Sequence, residues 1–293
     1  MIETSAEIRP MEASDVPMAY ESVAMSFAAE PEERERVLGR SDEEVEESHE
    51  RYRSFLRTDP EGAWVAEDKG AIVGVAVSIR RESLWVLSIF AVDESQRGKG
   101  VGRELLERVA EYGEGTSAAM IASSTHPAAM RSYALAGFTL HPTLTAEGFV
   151  RREQIPPSLP VYEGDESHLE MAAEVDRKLR GGPHGPDIER LLGTGNRLLV
   201  SERGGEMGYA VTKEGSPQIV AATHEEMARD LLWAALADGR PGVESTARWI
   251  TARQKWVVDV ILEAGLSLKP DGSICVKGEP GPLFPYLPSG LYL

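Results

Sequence analysis

The sequence predicts an α/β protein built from two similar halves. Three observations carry this. Short apolar runs alternate with segments of helical period along the whole chain. A glycine-rich turn at 97–102 joins an apolar run to a helix. A stretch from Pro127 to Leu140 is echoed from Lys255 to Leu268, at a constant spacing of 128 positions. There Ala136 matches Ala264, Gly137 matches Gly265, Leu140 matches Leu268, and Pro142 matches Pro270. The order of elements repeats as well: three strands, helix, strand, helix. Both point to a tandem duplication.

The first half opens on a strand from Ala6 to Arg9. Ser14-Asp15 offers a helix N-cap, followed by Val16, Tyr20, Val23, Met25 and Phe27 at near-helical spacing. Residues 30 to 50 are crowded with acids interleaved with Arg34, Arg36 and Arg40, and predict solvated helices or a flap over a cleft. Ala63–Ala66 and Ile72–Ile79 read as strands around a turn at Glu67-Asp68-Lys69-Gly70. Leu84–Val92 is the third strand. A helix runs from about Gly102 to Tyr112-Gly113, where Gly113 and Gly115 serve as C-caps. Ala118–Ser123 is a strand, and Pro127–Ala136 is a helix with Pro in its first turn. Gly137 stops it, and Phe138–Leu144 with Phe149–Ile155 complete a pair of strands.

Pro156-Pro157-Ser158-Leu159-Pro160 fits neither element type and reads as a linker. Beyond it the pattern predicts a helix over 165–180, strands near 197–200, 207–212 and 217–222, and a helix over 225–237. A strand near 243–250 and a helix over 254–264 follow. Gly181-Gly182-Pro183-His184-Gly185-Pro186-Asp187 reads as a loop, with His184 a turn residue rather than a metal ligand. The closing segment 284–293 is apolar for its position. It is expected to pack between the halves or on a second subunit, making a homodimer one expectation.

Composition sets limits. The formal net charge of −17 argues against nucleic acid or an anionic membrane as partner. Cys275 is the single cysteine, which excludes a disulfide framework and a cysteine metal site; a buried thiol on a short strand is expected. Met1-Ile2-Glu3-Thr4 shows no signal-peptide pattern, and no apolar run reaches the ~18 residues of a membrane span. A cytoplasmic protein is expected, with no metal.

Residues 97–102 read Arg97-Gly98-Lys99-Gly100-Val101-Gly102. Glycines allow backbone N–H groups to approach a ligand, a helix N-terminus adds partial positive charge, and Arg97, Lys99 and Arg103 add full charges. A phosphate site is predicted. The Walker A pattern fails because no Ser or Thr follows Lys99-Gly100. The dinucleotide pattern fails because Arg103 stands where its third Gly belongs. The pattern R/Q-x-x-G-x-G/A is satisfied by Arg97, Gly100 and Gly102.

This turn in its strand-to-helix setting resembles the GCN5-related N-acetyltransferase (GNAT) superfamily. A second signature, Tyr133-Ala134-Leu135-Ala136-Gly137-Phe138, is similar to the family's Y-x-x-x-G-F. The resemblance covers residues 6 to 155. It implies two GNAT-like domains in tandem, each a mixed, mostly antiparallel sheet flanked by helices: a catalytic domain at 1–155, a linker at 156–160, and a degenerate domain at 161–293. It further implies acetyl-CoA as acyl donor, with the diphosphate on Arg97, Gly98, Lys99, Gly100, Val101, Gly102 and Arg103 and the pantetheine along Ile89, Phe90, Ala91 and Val92. Tyr133 becomes the general acid for the departing thiolate. His126, at the family's usual Asn, is a cofactor contact or a base; Glu82 and water are the other candidates for the base. Glu94 departs from the family's usual Pro. The activity expected is direct acetyl transfer to a small-molecule primary amine, with a non-catalytic acyl-CoA sensor or scaffold, or a nucleotide-binding protein, as rivals. In the second half Ala222-Thr223-His224-Glu225-Glu226-Met227 replaces the glycine turn, Ile261 replaces Tyr133, and Gln254 replaces His126. That half is expected to have lost acyl-CoA binding.

Overall fold

The computed structural model describes residues 6–28 and 30–293. Two compact units are present: residues 1–80 with 85–115, and residues 81–84 with 116–293. The expected strand start at Ala6 is observed at Glu7, and residues 1–5 lie outside the described part.

In the first unit the chain runs through strand β1 (Glu7–Pro10), helices α1 (Val16–Phe27), α2 (Pro31–Leu38) and α3 (Asp42–Thr58), and strands β2 (Ala63–Asp68), β3 (Ala71–Arg81) and β4 (Leu84–Val92). Helix α4 (Val101–Tyr112) follows. The strand order is β1-β2-β3-β4. The acidic stretch forms α2 and α3. Ser41 caps α3 by accepting from the Glu44 amide while the Glu44 carboxylate returns to the Ser41 amide, a capping box that fixes where this charged helix starts. Its buried side chains are few, among them Tyr52 and Phe55. On α4, Val101, Leu105 and Val109 are fully buried at helical spacing.

The second unit contains β5 (Ala118–Ser123), α5 (Pro127–Leu135), β6 (Thr139–Gly148), β7 (Tyr162–Glu163), α6 (Leu169–Arg180), α7 (Pro186–Gly193), β8 (Arg197–Arg203), β9 (Glu206–Lys213) and β10 (Ser216–Ala222). It continues with α8 (Glu225–Ala237), β11 (Ser245–Thr251), α9 (Lys255–Glu263), β12 (Ser267–Gly278) and β13 (Tyr286–Leu287). Helices α5 and α9 start and stop 128 positions apart, and so do the first residues of β6 and β12, so the internal echo is a structural repeat.

The repeat is interlocked. The order β5-β12-β6-β11 places β12, the strand that follows the repeat helix α9, between two strands of the first half. β12 pairs antiparallel with β5, from Ala118↔Gly278 to Ser123↔Ser273. β6 in turn pairs with β11, from Gly148↔Ser245 to Thr143↔Thr251. Each half thus gives the strand after its repeat helix, β6 or β12, to the other half's ladder. The division between compact units falls at 115/116, away from the proline-rich stretch 156–160, because these pairings bind residues on both sides of that stretch.

Two expectations are corrected. Phe138–Leu144 and Phe149–Ile155 are not a strand pair: one strand, β6, spans Thr139–Gly148, and Arg152–Gln154 is a 3₁₀ turn. Pro142 lies inside β6 because the ladder shifts register between Pro270 and Ser273, next to it. The stretch after Gly185 is not loop but α7, opened by Pro186 at its first position and burying Ile188 and Leu191.

The apolar segment 284–293 folds back inside the second unit. β13 pairs with β10 at Val220↔Leu287 and Ala221↔Tyr286, and Tyr292 and Leu293 are buried. Behind it lies a buried polar cluster. Asp176 on α6 accepts from the His184 amide (2.9 Å), from His184 Nδ1 (2.8 Å) and from Tyr209 Oη (2.6 Å). Tyr286 Oη lies 3.4 Å from His184 Nε2. Arg180 donates to the Gly182 and Tyr292 carbonyls at 2.9 and 2.6 Å. All five side chains are essentially fully buried.

Titration of this cluster ties stability to pH. Burial, reinforced by the Arg180 charge, holds His184 below its ordinary 6.5 against the pull of Asp176, so the ring is neutral with Nδ1–H toward the carboxylate. Burial alone would raise Asp176, but its partners His184, Arg180 and Tyr209 outweigh that and hold it below the usual carboxylate range. The unfolded chain binds a proton on His184 near pH 6.5 that the folded chain refuses. Stability from this group is therefore complete above that pH and is lost as pH falls below it, by at most about 1.4 kcal/mol per pH unit. Asp176 adds a second loss only below about pH 4. The urea midpoint of the full chain is expected to fall between pH 7 and pH 5, and a His184→Gln variant is expected to flatten that decline. An unchanged slope in the variant would assign the pH dependence elsewhere.

Candidate acyl-donor site

The turn predicted to hold a phosphate is built by its own sequence. β4 ends at Val92, and Asp93 then accepts from the Ser95 amide (2.8 Å) and hydroxyl (2.5 Å). These bonds hold the Asp93 carboxylate below its usual range, the Ser95 hydroxyl being the larger contributor. This capped turn replaces the bend a proline would supply at Glu94. The chain then passes through Gly98 at φ 77° and Gly100 at φ 92°, both in the left-handed region that favours glycine. Gly100 is the N-cap of α4, and no side chain caps that helix.

The consequence is a set of outward backbone donors. The first N–H groups of a helix have no partner within it. Those of Val101, Gly102 and Arg103 open α4, and Gly100 has no side chain to cover them. A Cβ built on Gly98 would meet nothing within 4 Å, so the approach from solvent is open. At Gly102 a Cβ would sit 3.4 Å from Val92 Cγ2 and 3.6 Å from Phe90 Cζ, which seats the helix start on the end of β4. Arg97, Lys99 and Arg103 are exposed around the turn. Arg97 Nε donates to the Val92 carbonyl (3.3 Å), leaving the rest of its guanidinium outward. Amides, helix dipole and three cations suit a diphosphate. Phe90, Ala91, Val92 and residues 97–103 thus belong to one compact structure, the first unit.

Tyr133 and His126 belong to the second unit, on α5. His126 is the N-cap of that helix, and its Nδ1 accepts from the Ala128 amide at 3.3 Å. With that lone pair engaged, a neutral ring carries its proton on Nε2 and is a donor there. Tyr133, two turns on, is 3% exposed. Its ring meets Phe138 edge-on at 6.4 Å. Burial, with a smaller contribution from the Cys275 thiol, pushes its pKa well above 10, so the phenol is protonated at neutral pH. Cys275 is buried on β12 and its thiol is pushed up to about 11 by burial, which makes it unreactive. The neighbour of Tyr133 is therefore contributed by a strand of the second half, a placement the sequence did not reveal. Glu82, a candidate base, pairs with Arg177 at 2.9 Å.

The matching positions of the second half are sealed. At the start of α8, His224 Nδ1 accepts from the Glu226 amide (3.3 Å), and Glu225 and Glu226 occupy the first turn. The amides that α4 leaves outward are here capped by the chain itself and screened by two carboxylates. The edge of β10 away from β9 is taken by β13. Ile261 is fully buried among the apolar core of this unit. Gln254 uses both ends of its amide internally, donating to the Leu283 carbonyl (2.7 Å) and accepting from Trp256 Nε1 (2.7 Å).

Among the described residues no group of three or more His, Cys, Asp or Glu side chains is arranged to hold a metal ion, and no helix is long and apolar enough to cross a membrane.

Residues 27–138 match the family model described as the acetyltransferase (GNAT) family. No curated protein matches the chain in sequence. A Pyrococcus horikoshii structure, provisionally described as an acetyltransferase, is similar with a TM-score of 0.77 at 17% identity, covering 100% of this chain and 96% of its own. A GCN5-related N-acetyltransferase from Sphaerobacter thermophilus matches with a TM-score of 0.56 at 16% identity, over 96% and 98% of the two chains. A tandem GNAT protein from the clavulanic acid biosynthesis pathway matches with a TM-score of 0.55 at 12% identity, over 93% and 98%. At these identities the likeness is one of fold.

Proposed function

We propose that this chain, a tandem GNAT protein whose residues 27–138 are an acetyltransferase-family domain, moves an acetyl group from acetyl-CoA directly to a primary amine. The observation that carries this reading is the uncapped start of α4 with three exposed basic residues, Arg97, Lys99 and Arg103, within seven positions. In a chain of net charge −17, such a socket has a use only if an anion fills it.

Acetyl-CoA is here a substrate, and the residues present suit it. The amides of residues 101–103, with Arg97, Lys99 and Arg103, hold the diphosphate. The main chain at Phe90, Ala91 and Val92 offers strand-like bonds to the pantetheine arm and an N–H to polarise the thioester carbonyl. The amine attacks that carbonyl, the carbon–sulfur bond breaks, and sulfur leaves with the electron pair. Tyr133 meets it as a protonated phenol. A thiol titrates near 8.5, below the raised phenol, so full proton transfer to sulfur is uphill. Tyr133 stabilises the thiolate through its hydrogen bond, and the proton lost by the amine leaves through water. His126 is a donor to the coenzyme rather than a base.

Replacing Tyr133 with Phe removes the donor and keeps the ring. Turnover is expected to fall about 10²-fold or more, with the Kd for CoA changed by less than about two-fold. Thiol release from acetyl-CoA across a panel of primary amines measures it, and the single, buried Cys275 leaves the assay unclouded. Full turnover in the variant would remove the role given to Tyr133. CoA binding by the native chain with no thiol release on any amine would make it an acyl-CoA-binding module instead.

A further inference from the structure

The strands β5, β12, β6 and β11 have two faces. Cys275, beside Tyr133, lies on one, opposite Ile121 and Leu140. Its neighbours Ile274 and Val276 point to the other, because successive side chains alternate. There Ile274 stands across from His141, Val276 across from Met120, and Thr251 across from Thr143. The chain from Gly278 to Pro288 closes over this second face and leaves a cavity of about 200 Å³. Every residue lining it belongs to the second unit.

Its lining is divided by chemistry. Met120, Ile274, Val276 and Leu283 give an apolar interior. Arg253, Glu279 and His141 bring two opposite charges and an imidazole to the same cavity. Among the described residues these three side chains have no hydrogen-bond or ion-pair partner. A concave site that combines an apolar interior with a guanidinium, a carboxylate and an imidazole free of internal partners has the mixed lining of a small-molecule site, where a ligand supplies the partners.

We propose that this cavity binds a small amino-carboxylate with an apolar side chain. Arg253 takes the carboxylate through its fork of donors, Glu279 takes the ammonium, and the side chain rests on Met120, Ile274 and Val276. The size selects a single small metabolite, since sites for drug-sized molecules run to roughly 300–1,000 Å³. Glu279 disfavours a phosphate or a dicarboxylate. The site shares no residue with the acyl-donor turn, and the proposal stands whether or not the chain transfers acetyl groups.

The test is calorimetric titration of the full chain, without acetyl-CoA, by L-leucine, by 4-methylpentanoate, which lacks the amine, and by 3-methylbutylamine, which lacks the carboxylate. Saturable binding of L-leucine is expected, with each truncated analogue at least 10-fold weaker. Arg253→Ala and Glu279→Gln, both at exposed side chains and so compatible with folding, are each expected to weaken leucine binding at least 10-fold. Absence of leucine binding at millimolar concentration overturns the proposal, and so does equal binding by native and Arg253→Ala chains. Because no coenzyme is present, neither outcome bears on acetyl transfer.

Discussion

Gly100→Asp is expected to raise the Kd for CoA at least 100-fold, about 2.7 kcal/mol of binding energy. Gly100 sits at φ 92° at the mouth of α4, whose first amides have no cap. An aspartate there takes those amides for itself, as the His224 ring takes one at the start of α8, and adds a negative charge where the proposed function places the diphosphate. Backbone strain also rises, and a control separates the two effects. Gly115, in the same unit, has φ 81° and open space around it. Gly115→Asp carries a comparable conformational cost of about 1 kcal/mol with no anion site nearby. Native-like CoA binding in the Gly115 variant, with loss in the Gly100 variant, is the outcome required. Equal affinities in both, measured by titration with CoA, would remove residues 97–103 from the donor site.

The second large effect concerns stability. Asp176→Ala is expected to cost about 3–5 kcal/mol, a large share of the ~5–15 kcal/mol that holds a folded chain together. The substitution strips the acceptor from the His184 amide, from His184 Nδ1–H and from the Tyr209 hydroxyl, all buried. It also leaves the Arg180 charge buried without its counter-charge. The contrast is Arg177→Ala, whose ion pairs with Glu82 and Glu170 lie at 40–78% exposed side chains. Solvent screening limits that loss to below about 1 kcal/mol. Urea denaturation of the full chain reads both. Similar losses in the two variants would mean that the buried cluster is not what orders this unit.

The turn proposed for the acyl donor was legible in the sequence because its pattern is local. Gly98, Gly100, Gly102 and three basic residues fall within seven positions, and the strand before and helix after them follow from apolar periodicity. Tyr133 was legible for the same reason, as part of one short helix with a glycine stop. The course of β6 was not, since Pro142 argues against a strand and only a register shift against β12 admits it. Helix α7 did carry a signal, Pro186 ahead of Ile188 and Leu191, obscured by the glycines and prolines before it. Asp176, His184, Tyr209 and Tyr286 come from four separate segments, and no spacing rule connects them.

By itself the sequence determined the α/β class, the duplication, the glycine-rich basic turn at 97–103 and its absence from the second half. Each depends on neighbours along the chain: periodicity, glycine placement and charge type. Only the tertiary structure decided that the halves exchange the strands after their repeat helices, that segment 284–293 occupies the edge of β10, and that Arg253 and Glu279 line one cavity with residues 278–288. Those features arise from pairings between residues more than sixty positions apart. Many strand partners of similar apolar pattern compete for such pairings, and the choice among them is made by the packing of the whole core rather than by any one segment.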